Sequence, residues 1–133
     1  MSKPERRLLA QEWISSAESD FQYATVGLKQ RIIFPQVAFL SQQVAEKYLK
    51  GYLMFHGKVF PRIHDLTKLL DVCVRIEPEL EKLRNSCELL TGFYIETRYP
   101  PDIPDYTKEE INKAYVAAKR IKEQIETVSQ PRS

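Results

Sequence analysis

Glycine is scarce in this chain, at four of 133 positions, and the four stand apart from one another. Without a glycine-rich loop there is nothing to cradle a phosphate through backbone amides, and a turn-rich all-β fold is disfavoured. Cysteine is nearly absent. Cys73 and Cys87 each sit among apolar residues, too few for a disulfide framework. A four-ligand zinc site would need histidines beside them, and the chain has only His56 and His64. The expected reading is two reduced core thiols, with no metal and no cofactor. Long apolar runs are missing too, and the N-terminal MSKPERRLLAQEW has no apolar signal core. A cytoplasmic protein with no membrane segment is therefore expected. Net charge is also small, +2 from 20 basic and 18 acidic residues. So weak a bias neither demands nor excludes nucleic acid, and any such binding falls to a local patch.

What the chain does have is helical periodicity. Its hydrophobic content is 43% and its charged content 29%, the profile of one ordered domain over 1–133 with a core of about 5–128. Leu9, Trp13, Ala17, Ala24 and Leu28 recur at helical spacing and predict a first helix over about 5–30. Asp20 lies at the margin of that apolar arc, where a carboxylate reaches solvent or takes a cationic partner. Pro35 opens a second helix that ends at Gly57, a left-handed cap. Its broad arc (Val37, Leu40, Val44, Ala45, Tyr48, Leu49, Tyr52) marks it as the central helix. Gln42, Gln43, Glu46, Lys47 and Lys50 form its polar face, on which Phe39 and Met54 also fall, as if to pack against something else. Asp65 caps a third helix striped by Leu66, Leu69, Leu70, Cys73 and Ile76. Pro78 starts a fourth, striped by Leu80, Leu83, Cys87, Leu90 and Tyr94, and one turn further the stripe reaches Arg98. Three prolines then interrupt the chain at 100, 101 and 104. Thr107 and Glu110 form a capping box for a last helix that turns Ile111, Ala114, Tyr115, Ala118, Ile121, Ile125 and Val128 inward. The fold class is all-α, an antiparallel up-and-down bundle of four to five helices.

Candidate chemistry is sparse. His64-Asp65 is the kind of pair found in metal-dependent phosphohydrolases, but His56 alone cannot complete the ligand set. The plainer reading makes Asp65 a helix cap and lets His64 pack or bond at the helix start. Cys87 lies mid-stripe, too buried to react. There remain charged residues on or beside apolar faces: Asp20, Lys47, Lys50, Arg84 and Arg98. Arg98 has two readings. It bonds the last carbonyls of its own helix, or it holds a phosphate by a bidentate bond while Tyr99 stacks on a base.

The stretches SQQVAEKYLKGYL (41–53), HDLTKLL (64–70) and ETRYP (96–100), followed by TKEEINKAYVAAKRI, resemble the bacterial and archaeal HEPN domains. Asp20 in AESDFQYA fits the same pattern, and the similarity covers roughly residues 5–128. The resemblance implies a four- to five-helix bundle that forms homodimers and binds nucleotides or RNA. Many such proteins accompany a minimal nucleotidyltransferase in a two-gene system of toxin–antitoxin type, and related bundles form the C-terminal half of kanamycin-type nucleotidyltransferases. A catalytic branch cleaves RNA without metal, using an arginine followed four to six residues later by a histidine at the dimer interface. Here the positions after Arg98 hold Asp102, Ile103 and Pro104, and neither histidine follows an arginine at that spacing. Catalytic residues, if the protein is a ribonuclease, would be His64 and Arg98. The expected binding residues are Arg98, Tyr99, Lys47, Lys50, Asp20 and His64. The expected function is a nucleotide- or RNA-binding accessory protein; a ribonuclease or a purely structural partner are the alternatives.

Overall fold

The computed structural model of the chain describes residues 1–30, 34–60, 62–93 and 106–130. Among these are five α-helices and one 3₁₀ helix, and no strand. α1 (Lys3–Leu28) begins earlier than the periodicity predicts, because Ser2 caps it by accepting a hydrogen bond from the Glu5 amide. α2 spans Phe34–Phe55. Its end is a Schellman turn: the Lys58 amide bonds Leu53 O and the Gly57 amide bonds Met54 O, with Gly57 at φ +68°. α3 (Leu66–Ile76) is capped by Asp65, whose carboxylate accepts from the Thr67 amide. α5 (Lys108–Val128) starts with both halves of the Thr107–Glu110 capping box in place.

The fourth helix differs from its prediction. Pro78–Leu83 is a 3₁₀ helix, and α4 proper covers only Arg84–Thr91. Glu77 offers the Pro78 turn no side-chain cap, and Glu81 and Arg84 pair three residues apart, a spacing that 3₁₀ geometry eclipses. At the far end Thr91 turns its hydroxyl back onto Cys87 O, and Gly92 follows. Both residues are weak helix formers. The helix thus stops seven residues short of Arg98. Tyr94, Arg98, Tyr99 and Asp102–Pro104 lie outside the described residues.

α2 is the centre of the bundle and packs against α1, α3, α4 and α5. Val37, Ala38, Val44, Ala45, Tyr48, Leu49, Tyr52 and Leu53 are all buried there. Leu66, Leu69, Leu70 and Cys73 of α3 close one side, and Ile111, Ala114, Ala118, Ile121 and Ile125 of α5 another. In α1 the buried seam is Ala10, Ala17 and Ala24, at heptad spacing. Leu9, Trp13 and Leu28, predicted to be core, are only half-buried. Small side chains let α1 lie close to α2, and Gly51 shows how close. A Cβ at that position would sit 2.8 Å from Ile14 Cδ1 and 3.2 Å from Trp13 Cβ.

Both caps are testable. Gly57→Ala should destabilise the protein by about 1–2 kcal/mol, since only glycine takes the left-handed region freely, and Gly57→Asn by less. Urea midpoints measure both. Asp65→Ala should cost about 1 kcal/mol at neutral pH. Hydrogen bonds from Thr67 hold the Asp65 carboxyl below its ordinary value, so the unfolded chain binds that proton more readily than the folded one. The cap's contribution is therefore complete above the ordinary carboxylate range and disappears as pH falls through the depressed value. Urea midpoints of wild type and Asp65→Ala should converge in acid.

Candidate functional site

The polar face predicted for α2 is not a solvated face. Gln42 is 0% exposed, Glu46 5% and Lys50 7%; His64 from the chain between α2 and α3 bonds Glu46, and Phe60 from that chain and Trp13 of α1 lie against Lys50. A buried carboxylate needs partners, and Glu46 has three. Its Oε1 accepts from His64 Nδ1 at 2.8 Å and from Gln42 Nε2 at 3.3 Å, and its Oε2 accepts from Lys50 Nζ at 3.2 Å. Gln43 Nε2 donates to Gln42 Oε1 at 2.7 Å, extending the network by one residue. Lys50 Nζ also lies over the rings of Trp13 and Phe60, 5.5 and 5.8 Å from their centroids, the cation–π arrangement that suits a desolvated ammonium. A carboxylate only accepts, so the hydrogen sits on Nδ1 and the neutral imidazole carries its lone pair on Nε2.

One helical turn around α2, Lys47 Nζ donates to Asp20 Oδ2 at 2.6 Å and to Ser16 Oγ at 2.8 Å. Asp20 at the margin of the α1 arc thus takes its cation from α2. The side chains of this pair are about one-fifth exposed, those of Lys50 and Glu46 less than one-tenth. Two ammoniums and two carboxylates cancel across the cluster, and His64, whose side chain is 41% exposed, is its most exposed member.

The same corner holds the end of α4. The Leu66 amide donates to Thr91 Oγ1 at 3.2 Å, which fixes the last residue of α4 beside the residue that follows Asp65. Just beyond, the rings of Phe93 and Tyr106 lie 4.9 Å apart. The chain leaves the described region at Phe93 and re-enters it at Tyr106, in one place. Of the residues predicted to act together, the structure brings Asp20 to Lys47 and His64 to Lys50 through Glu46. Arg98 and Tyr99 lie outside the described residues. Glu46, Gln42, Trp13 and Phe60 were not singled out from sequence. The signal was present in Gln42, Glu46 and Lys50 at successive four-residue spacing, but read as a solvated face.

Other candidates resolve into structural roles. Arg84 bonds both carboxylate oxygens of Glu81 at 2.8 Å and Asp71 Oδ1 at 2.7 Å, a clamp joining α3 to the 3₁₀ helix. Cys73 and Cys87 are buried, free thiols whose pKa burial pushes up to about 12, outside the range of a reactive thiolate. The His56 ring lies 4.5 Å from the Tyr52 ring, tilted by 52°. Phe39 and Met54 are half-buried, not exposed.

Removing the hub should be severe. Glu46→Ala should cost about 3–5 kcal/mol by leaving Lys50 buried without its carboxylate, whereas Asp20→Ala should cost about 1 kcal/mol or less. The double variant Glu46→Gln/Lys50→Met should recover most of the loss. Denaturant titrations of the four proteins check this, and equal losses at Glu46 and Asp20 would contradict it.

The geometry can be set beside known proteins. A family model described as the HEPN domain matches residues 10–128. The chain is similar to the crystal structure of an archaeal HEPN homologue, with a TM-score of 0.73 and 27% identity over 91% of this chain and 98% of that one. It is also similar to the crystal structure of a protein from Thermus thermophilus, with a TM-score of 0.71 and 28% identity over 89% of this chain and 96% of that one. Among curated proteins none matches. With the family model covering most of its length and a bundle of the same shape as an HEPN homologue, the chain belongs to the HEPN domain family.

Proposed function

We propose that the protein is a nucleotide- or RNA-binding accessory module, acting as a homodimer beside a minimal nucleotidyltransferase in a two-gene system of toxin–antitoxin type. Membership of the HEPN family supports the class. The observation that carries the reading is the meeting of chain ends at the His64 corner. The bond from Leu66 to Thr91 and the contact of Phe93 with Tyr106 put both anchors of residues 94–105 at one end of the bundle. Arg98 follows Phe93 by five residues, so the backbone keeps it within about 18 Å of that ring. In this reading the Arg98 guanidinium takes a phosphate bidentately and Tyr99 stacks on a base or hydrogen-bonds it. His64 adds a hydrogen-bonding ring at the same corner. Lys47 and Lys50 act through their field, since each is already bonded to a carboxylate.

One observation favours a second reading, a metal-independent ribonuclease. His64 is held through Nδ1 by a buried carboxylate, the way a general acid or base is oriented. Against it stand Asp102, Ile103 and Pro104 where the arginine–histidine spacing calls for a histidine.

Fluorescence anisotropy with a labelled single-stranded RNA and with mononucleotides separates the two. Arg98→Ala should weaken binding about tenfold and lower the salt slope by about one, with Tyr99→Ala losing less. Wild-type affinity in Arg98→Ala would sink the binding proposal. RNA cut in the presence of a chelator, with cutting abolished by His64→Ala, would instead establish the ribonuclease.

A further inference from the structure

The Tyr48 hydroxyl is buried and has no hydrogen-bond partner among the described residues, but it is closed off even from water and offers a ligand nothing. What the bundle leaves open is a surface groove of about 770 Å³ between α4 and α5. Asn85, Ser86 and Leu89 form its α4 wall, and Lys113, Val116 and Arg120 its α5 wall. Leu89 is 40% exposed and Val116 60%. At 100° per residue Val116 lies on the side of α5 turned away from the core stripe of Ile111, Ala114, Ala118, Ile121 and Ile125. Packing within the bundle therefore does not account for it. Helix propensity does not favour an exposed β-branched residue there either. Exposed apolar side chains that share one groove with a polar rim mark an interaction surface.

The rim has a sign. The chain as a whole is nearly balanced, 20 basic against 18 acidic residues, but this lining carries Lys108, Lys113 and Arg120 against the single carboxylate of Glu109. Glu109 pairs with Lys113 at 3.3 Å, with side chains 79% and 63% exposed, an exposed pair that holds neither group firmly. Arg120 meets only the Lys82 carbonyl, at 3.4 Å. Lys113, Val116 and Arg120 follow one another at spacings of three and four, so they share a face. A helix laid along the groove meets two cations about 10 Å apart with an apolar side chain between them.

That pattern selects among occupants. RNA would find no aromatic ring in the lining on which to stack a base, and Glu109 would face its phosphates. A second copy docked through the same groove would set Lys113 and Arg120 against their own counterparts. We propose that the α4–α5 groove is a docking site for an acidic amphipathic helix of a second protein, with its apolar stripe on Leu89 and Val116 and its carboxylates on Lys113 and Arg120. This is the helix-in-groove mode of recognition. The site stands whether or not RNA binds at the His64 corner, since none of its lining residues is among those expected to bind there.

The test uses the isotope-labelled full chain and two side-chain-stapled helical peptides. Both carry leucine at every third or fourth position; one is flanked by glutamates and the other by lysines. The glutamate peptide should shift the amides of Leu89, Val116 and Ala117, with an affinity that falls as salt is raised, and the lysine peptide should not. Val116→Ser should weaken the glutamate peptide about fivefold. The double variant Lys113→Glu/Arg120→Glu should lose the glutamate peptide and take up the lysine peptide, a reversal that unfolding could not produce. No shift with the glutamate peptide at millimolar concentration would overturn the proposal, as would an equal response to both peptides. Stronger shifts of the same amides with a single-stranded RNA would assign the groove to nucleic acid instead. Shifts there that depend on protein concentration alone would put a second copy in it, and either result defeats the proposal.

Discussion

A carboxylate inside a helical bundle must be met from several directions at once, and Glu46 is met from three. Removing an ion from water costs several kcal/mol even after relaxation, so the Glu46 position is tolerable only while Lys50, His64 and Gln42 stay in place. Each partner then constrains something else. Lys50 stays in place against Trp13 of α1 and Phe60 of the α2–α3 connection. His64 pins that connection across α2, and its neighbours continue the chain of bonds: Asp65 caps α3, and the Leu66 amide reaches Thr91 at the end of α4. A line of hydrogen bonds thus runs from the middle of the central helix to the ends of two others. Such a network adds little net stability over an apolar core of the same shape. What it does add is a single permitted arrangement of the corner where the candidate site lies.

The other constraint is how closely α1 approaches α2. Ala10, Ala17 and Ala24 form the seam, and Gly51 leaves no room even for a methyl group against Ile14 and Trp13. Close approach makes the Lys47–Asp20–Ser16 contact short and pushes the larger side chains of α1 to the seam's edges. Trp13 is therefore available to Lys50 on one side, while Ile14 lies against Gly51 on the other. Packing by small residues and the two polar sites are consequences of one geometry.

What could be read from the sequence was what depends on neighbours within a turn. The Thr107–Glu110 box, the Asp65 cap and the left-handed Gly57 involve residues at most a few positions apart, and all three are found. The requirement that Asp20 find a cation was also legible, because it follows from a carboxylate at the edge of an apolar arc. Burial of Glu46 and Lys50 was not, since His64 and Phe60, which meet them, come from a connection whose path no periodicity encodes. The alanine seam was missed for a related reason: hydropathy favours Leu9 and Trp13, whereas close helix approach selects small side chains. The end of α4 went astray because a stripe continued through Thr91 and Gly92 looks unbroken, although those two residues stop the helix.

The contrast between Glu46 and Tyr48 bears on how buried polar groups are to be read. Arg84 and Asp65 have all the partners their positions require, and nothing beyond structure is needed to account for them. Glu46 is equally satisfied, so its burial alone says nothing about function; what it does is orient His64. Tyr48 differs in kind. A phenylalanine would fill the same volume without burying a hydroxyl, and volume-conserving swaps of that sort are well tolerated in cores. A tyrosine there is therefore unfavourable by local rules and unexplained by packing.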